Sequence, residues 1–228
     1  MISNTYTRVT GWITILSGGV AFLSYYLVAA SVDFHFEFFA DPVLVFSLPQ
    51  VDLSILRWSM ITDVFGYYLF LLPALFLIHE RLNNQTPWAN LLTFCGASYI
   101  LIGSLGAAIL SVIWPTLIEQ YGVAELGQQA TIKTLFSTFS SMVYGGMWNL
   151  LNCFLGGLWW LGTGFVLKRI LPRFGWLGIF VGLISIIDGM ANMLQIHWLA
   201  ELALNIFLVL APIWALVFGI TLIKRPLQ

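Results

Sequence analysis

The sequence predicts an all-α, polytopic integral membrane protein: six transmembrane helices in one bundle, with both termini cytoplasmic. Three observations carry that reading. Of 228 residues, 60% are hydrophobic and only 8% are charged, against roughly 25% charged in a soluble domain, so most of the surface must face lipid. Six stretches are long and apolar enough to span a bilayer, which takes ~20 residues. The lysines and arginines fall almost entirely at one end of that threading. The formal net charge of −1 leaves no basic footprint for nucleic acid, so no nucleic-acid partner is expected.

The chain reads as a single transmembrane domain over residues 1–228, with spans at approximately 11–30, 56–78, 90–114, 135–166, 175–195 and 199–223. Backbone groups in lipid must be satisfied internally, so each span is read as a helix. The fourth is longer than a bilayer needs; tilt or a turn outside the membrane absorbs the excess. Arg8, Arg81, Lys168, Arg169, Arg173, Lys224 and Arg225 share the side of the termini, and only Arg57 and Lys133 lie opposite. Seven against two puts both termini in the cytoplasm of a multi-pass protein of the cell membrane. Trp58, Trp114 and Trp198 are expected to mark the outer boundary, and Trp12, Trp88 and Trp176 the inner one. The first span carries a small-residue sequence, Val28-Ala29-Ala30-Ser31, like a signal cleavage site. Its apolar core exceeds that of a signal peptide, so it is read as retained. Cys95 and Cys153 lie at different depths and are expected as two reduced, packed thiols.

The outer loops are 31–55 and 115–134. Residues 32–38, VDFHFEF, alternate with period two. In an extended segment Asp33, His35 and Glu37 share one face, and with His197 from the start of the sixth span they are the candidate metal ligands. The plainer reading is an interfacial segment with its aromatics in lipid and its charges toward water. Trp114-Pro115 is expected to stop the third helix, leaving 115–134 as a loop with at most a short surface helix. Asn84-Gln85-Thr86 matches a glycosylation sequon but falls on the predicted cytoplasmic side.

Against this apolar background a polar layer stands out. Asp63 lies seven residues in from Leu56 and Asp188 seven short of Gln195, each ~10 Å below the outer boundary at ~1.5 Å per residue. Asn205 comes to a similar depth, with Asn149, Asn152 and Asn192 nearby. An Asp at the bilayer centre costs ~2.5–3.5 kcal/mol on insertion scales, so such groups face the bundle interior or a wet cavity. The spacings agree. Asp188, Asn192 and Gln195 form one stripe, Gly145, Asn149, Asn152 and Gly156 a second, and Asp63 with Tyr67 a third. No Lys or Arg occurs deep in any span, although Lys133 could reach Asp63 from another helix. The candidate ligand-binding residues are therefore Asp63, Tyr67, Asn149, Asn152, Asp188, Asn192 and Asn205, around a vestibule open to the outside. No cofactor is implied.

Small residues point to close helix contacts: Gly178 and Gly182 as GxxxG, Gly103 with Ala107, and the pairs Gly145-Gly146 and Gly156-Gly157. Pro73 and Pro212 lie inside spans and are expected to kink them. The stretch LSILRWSMITDVFGYYLFLLPALFLIHERL resembles the bacterial six-span membrane proteins of domain-of-unknown-function family 4386. The likeness extends to length, span number, the acidic outer loop and an Asp-bearing second span. It implies a bacterial membrane protein and assigns no reaction.

Three functions fit these residues. The first is a protein that binds or passes a small polar, cationic or amphipathic ligand. The second is a structural or regulatory subunit whose exposed GxxxG face meets a membrane partner or a second copy, the polar layer being only glue. The third is an intramembrane enzyme using Asp63 and Asp188 as a pair, although no HExxH or GxSxG motif occurs. The expected partners are the lipid bilayer, a small molecule, and a membrane protein or another copy of the chain.

Overall fold

A computed structural model describes residues 4–35, 41–83 and 85–224. Glu37, Asn84 and Arg225 lie outside the described residues. Six helices are long and apolar enough to cross a membrane. They are α1 (Asn4–Ser31), α2 (Leu53–Asn83), α3 (Ala89–Val123), α4 (Leu126–Leu167), α5 (Pro172–Met193) and α6 (His197–Lys224). Among the described residues there is no strand. The chain is a multi-pass helical bundle suited to lipid.

Each helix packs on its neighbours in sequence, and α6 returns to α1, so the six form a closed ring. The closing seam is antiparallel. A Cβ at Gly11 would meet the Gly219 carbonyl, and one at Gly18 the Pro212 carbonyl. Both termini therefore share one end of the ring, called proximal here; the other end is distal. Helix α1 buries its small residues, among them Thr10, Thr14, Ser17, Gly18, Ala21 and Ser24, and exposes Trp12, Leu16, Leu23 and Tyr26. That is the reverse of a water-soluble helix. Lipid tails are as apolar as leucine, so large side chains gain little by turning inward, while small ones let backbones approach.

The Gly178–Gly182 motif serves such an approach within the chain. A Cβ on Gly182 would strike the Leu161 nitrogen and the Gly157 carbonyl, so α5 lies against α4 backbone to backbone. The motif is buried, which corrects the expectation of an exposed GxxxG face. Gly156 receives the Tyr99 ring and Gly157 the side chain of Ile186, whereas Gly145 and Gly146 face open space.

Two apolar clusters fill the ring. The proximal one is aromatic, with Trp159, Trp160, Trp214, Phe174 and Phe218 fully or nearly fully buried; the Phe174 and Phe218 rings stack at 4.5 Å. The distal one joins α1 to α4 through Val28, Leu56, Met60, Leu110, Trp114, Phe136 and Val143.

The distal connections differ from expectation. Helix α3 runs through Pro115 to Val123, and α4 begins at Leu126, so 115–134 is mostly a helical hairpin rather than a loop. Trp114 is buried rather than at the membrane boundary; its indole donates to Ser140 Oγ at 2.8 Å. Trp12, Trp58, Trp88, Trp176 and Trp198 are exposed, as belt residues would be. Residues 32–34 continue the end of α1 as a turn, with Asp33 and Phe34 at φ 49° and 59°. The extended strand expected there is absent over the described part. Asp41 and Asp52 cap the 3-10 turn Pro42–Ser47 and α2 by accepting from Val43 N and Ile55 N. Two acids of this loop thus have a local structural role.

Candidate functional site

Two helices lose their regular winding at the same level. In α2, Asp63 is followed by a π segment, Val64–Tyr68, and a 3-10 turn, Leu69–Leu71. In α4, eleven residues, Met142–Asn152, are π-helical. Such wide turns leave carbonyls imperfectly paired and recur at functional sites. Hydroxyls from neighbouring helices satisfy the α2 carbonyls. Ser17 donates to Gly66 O, and Tyr99 donates to Tyr67 O at 3.2 Å. Pro73 explains the 3-10 turn, since its missing N–H frees the Leu69 carbonyl, which then accepts from Leu72 N.

Pro212 in α6 has a related effect. It removes the donor for the carbonyl four residues earlier, Leu208 O. That oxygen is met instead by the Tyr67 hydroxyl at 2.7 Å. The proline of one helix and the tyrosine of another are one device.

Between these irregular turns lies a chamber of about 110 Å³, to which all six helices contribute. Asp63 and Tyr67 from α2, Asn149 and Asn152 from α4, and Asp188 from α5 line it. Five of the seven residues predicted for the site therefore surround one space. Asn192 stands behind the wall, bridging Asp188 and Asn149. Asn205 does not take part. It belongs to an exposed stripe of α6 with Trp198, Leu202 and Val209, and its amide donates to Glu201 O at 2.9 Å. Its facing differs from the sequence expectation, because a short amide can satisfy its own helix. Gln195 also leaves its predicted stripe, since α5 ends at Met193 and Gln195 sits in the following turn at φ 58°.

The two acids have different surroundings. Asp188 is 1% exposed. Its Oδ1 accepts from Asn192 Nδ2 at 2.7 Å and its Oδ2 from the Cys153 thiol at 3.3 Å. Asn149 Nδ2 reaches Asn192 Oδ1 at 3.4 Å, and Ser185 Oγ donates to Cys153 O at 2.9 Å. Among the described residues, Asp63 has one long contact, from Ser24 Oγ at 3.5 Å, a hydroxyl that also donates to Ser59 O at 2.9 Å. Asn152 is 5% exposed, and its Oδ1 has no hydrogen-bond partner. Lys133 does not approach Asp63; it lies over the rings of Phe46 and Tyr121 at 5.9 and 5.2 Å. Both cysteines are free thiols.

No group of three His, Cys, Asp or Glu side chains among the described residues could hold a metal ion. Asp33, His35 and His197 thus form no such group, and Glu37 is outside the described residues.

Sequence reasoning missed Ser24, Tyr68, Tyr99, Tyr144, Trp148, Cys153 and Ser185, all of which line the chamber. Ser185 carried a readable signal, being one turn before Asp188. Tyr68 did not, because regular α geometry turns it well away from Tyr67 and only the π segment buries both.

No family model matches the chain, and no curated protein or solved structure matches it.

Proposed function

We propose that this chain is a protein of the cell membrane, with cytoplasmic termini, that holds or passes a small polar, cationic or amphipathic molecule in the chamber from the outer side. The observation that carries this reading is the lining. Two acids and two asparagines from three helices face one space, and the buried Asn152 oxygen there lacks a partner. The cationic residues at the proximal end support the orientation. The likeness of the second span to family 4386 supports a bacterial origin.

The test is a thermal-shift screen of the purified full chain in nanodiscs, with small amines, alcohols, amino acids, sugars and lipid headgroups. A ligand at ~100 times its Kd adds about 2.7 kcal/mol of stability. We expect at least one class to raise Tm, and the double variant Asp63→Asn/Asn152→Leu to lose that response. A panel without effect, on protein that carries no small molecule by mass spectrometry, removes the reading.

One observation favours a second role for part of the layer. Asp188, Asn192, Asn149 and Cys153 hydrogen-bond one another across α4 and α5. This half joins helices, as a structural or regulatory subunit would require. A stoichiometric crosslinked partner in native membranes is the expected sign of such a subunit.

A further inference from the structure

Several of the chamber's hydrogen-bonding groups are already engaged, and Asp63 is the lining acid least supplied with donors. Four lining hydroxyls already donate to backbone carbonyls: Ser24 to Ser59, Tyr67 to Leu208, Tyr99 to Tyr67 and Ser185 to Cys153. The Trp148 indole donates to Gly103 O at 3.3 Å. The Asn149 amide is directed at Asn192. Also toward the space are Asp63, with Ser24 Oγ 3.5 Å away, and the lining tyrosines Tyr25, Tyr68 and Tyr144. Among the described residues, no lysine, arginine or histidine lines the wall. The rest of it is largely aromatic: Tyr67, Tyr68, Tyr99, Tyr144, Trp148 and Phe207.

A site with acceptors, negative charge and ring faces calls for a cation that carries N–H donors. Ring faces attract ammonium groups by about 0.5–2 kcal/mol each. A hydrogen bond to a charged group contributes about 1.5–3 kcal/mol. Size narrows the class further. A cavity of ~150 Å³ accommodates benzene, and this one is about 110 Å³, so the part of the ligand seated beside Asp63 is small.

We propose that the chamber selects a small primary or secondary alkylammonium ion, with Asp63 as its counter-ion and the surrounding tyrosine rings as its seat. The proposal rests on the ligand-binding reading above and names its substrate class. A neutral alcohol lacks the charge, a quaternary ammonium lacks the N–H groups, and a sodium ion gains nothing from the apolar part of the wall.

The experiment is isothermal titration of the full chain in nanodiscs with n-propylammonium, tetramethylammonium, 1-propanol and sodium chloride. The expected order places n-propylammonium at least tenfold tighter than each of the others. Asp63→Asn should weaken it at least tenfold, with the elution profile unchanged. The ranking on the unaltered protein decides the matter even where a variant does not fold. Equal binding of 1-propanol, sodium or tetramethylammonium overturns the proposal. If n-propylammonium does not bind but another member of the wider panel does, and the double variant abolishes it, the ammonium class is wrong while the ligand site stands. If nothing binds, both fall.

Discussion

Asp63 and Asp188 line the same chamber yet live in opposite circumstances. Asp188 is closed in by an asparagine and a thiol, and its side chain fastens α5 to α4. Asp63 sits where α2 unwinds, with one long contact to a serine of α1. The difference teaches that a carboxyl in a membrane interior need not signal function by its presence. What distinguishes the two is how far their acceptor sites are filled from within. Asp188 reads as a fastening, and Asp63 as a group left open for something else.

The contrast can be broken most forcefully at its mechanical base. Gly182→Val puts a side chain where α4 has backbone atoms, and overpacking of this kind costs about 3 kcal/mol. Gly145→Val, on the open face of α4, should leave the unfolding temperature unchanged. Thermal unfolding in detergent that treats the two alike would deny that the Asp188 side depends on close α4–α5 contact. Next comes the direct comparison of acids. Asp188→Ala strands Asn192 and Cys153 and should lower stability by about 1–2 kcal/mol, the upper range for interhelical hydrogen bonds. Asp63→Ala should stay within about 0.5 kcal/mol, as for a side chain without such bonds. Equal losses would erase the distinction.

A smaller effect isolates the support around Asp63. Tyr67→Phe leaves Leu208 O without its donor and should cost about 1 kcal/mol. In a Pro212→Ala background the restored N–H serves that carbonyl, so the same change should cost little. A double-mutant cycle showing no coupling would refute the pairing of these two residues. Smallest of all is Asn205→Leu, expected within about 0.5 kcal/mol because the amide lies outside the layer.

Much of this was readable from residue order. Apolar length sufficed for six helices, and the cost of a polar group in hydrocarbon was enough to bring Asp63, Tyr67, Asn149, Asn152 and Asp188 together. Where the reading failed, local rules met tertiary packing. Pro115 lies inside α3 without ending it, and Trp114 turns inward, where Ser140 offers its indole a partner. The face of Asn205 could not be assigned, since depth along a helix says nothing about azimuth. The aromatic wall was hidden for a different reason: a helical wheel assumes uniform winding, and α2 and α4 do not have it.

The wide turns in α2 and α4 also behave as built-in frameshifts. A backbone that bonds five residues ahead instead of four takes up an extra residue per turn, so the sequence after each one is rotated relative to what precedes it. In α4 this lets Trp148 and Cys153 look into the same space although ordinary winding would not align them. Losing one codon inside either turn would therefore rewrite which side chains meet at the centre while leaving the length and greasiness of the span almost untouched. Evolution could retune this interior by insertion and deletion as readily as by substitution.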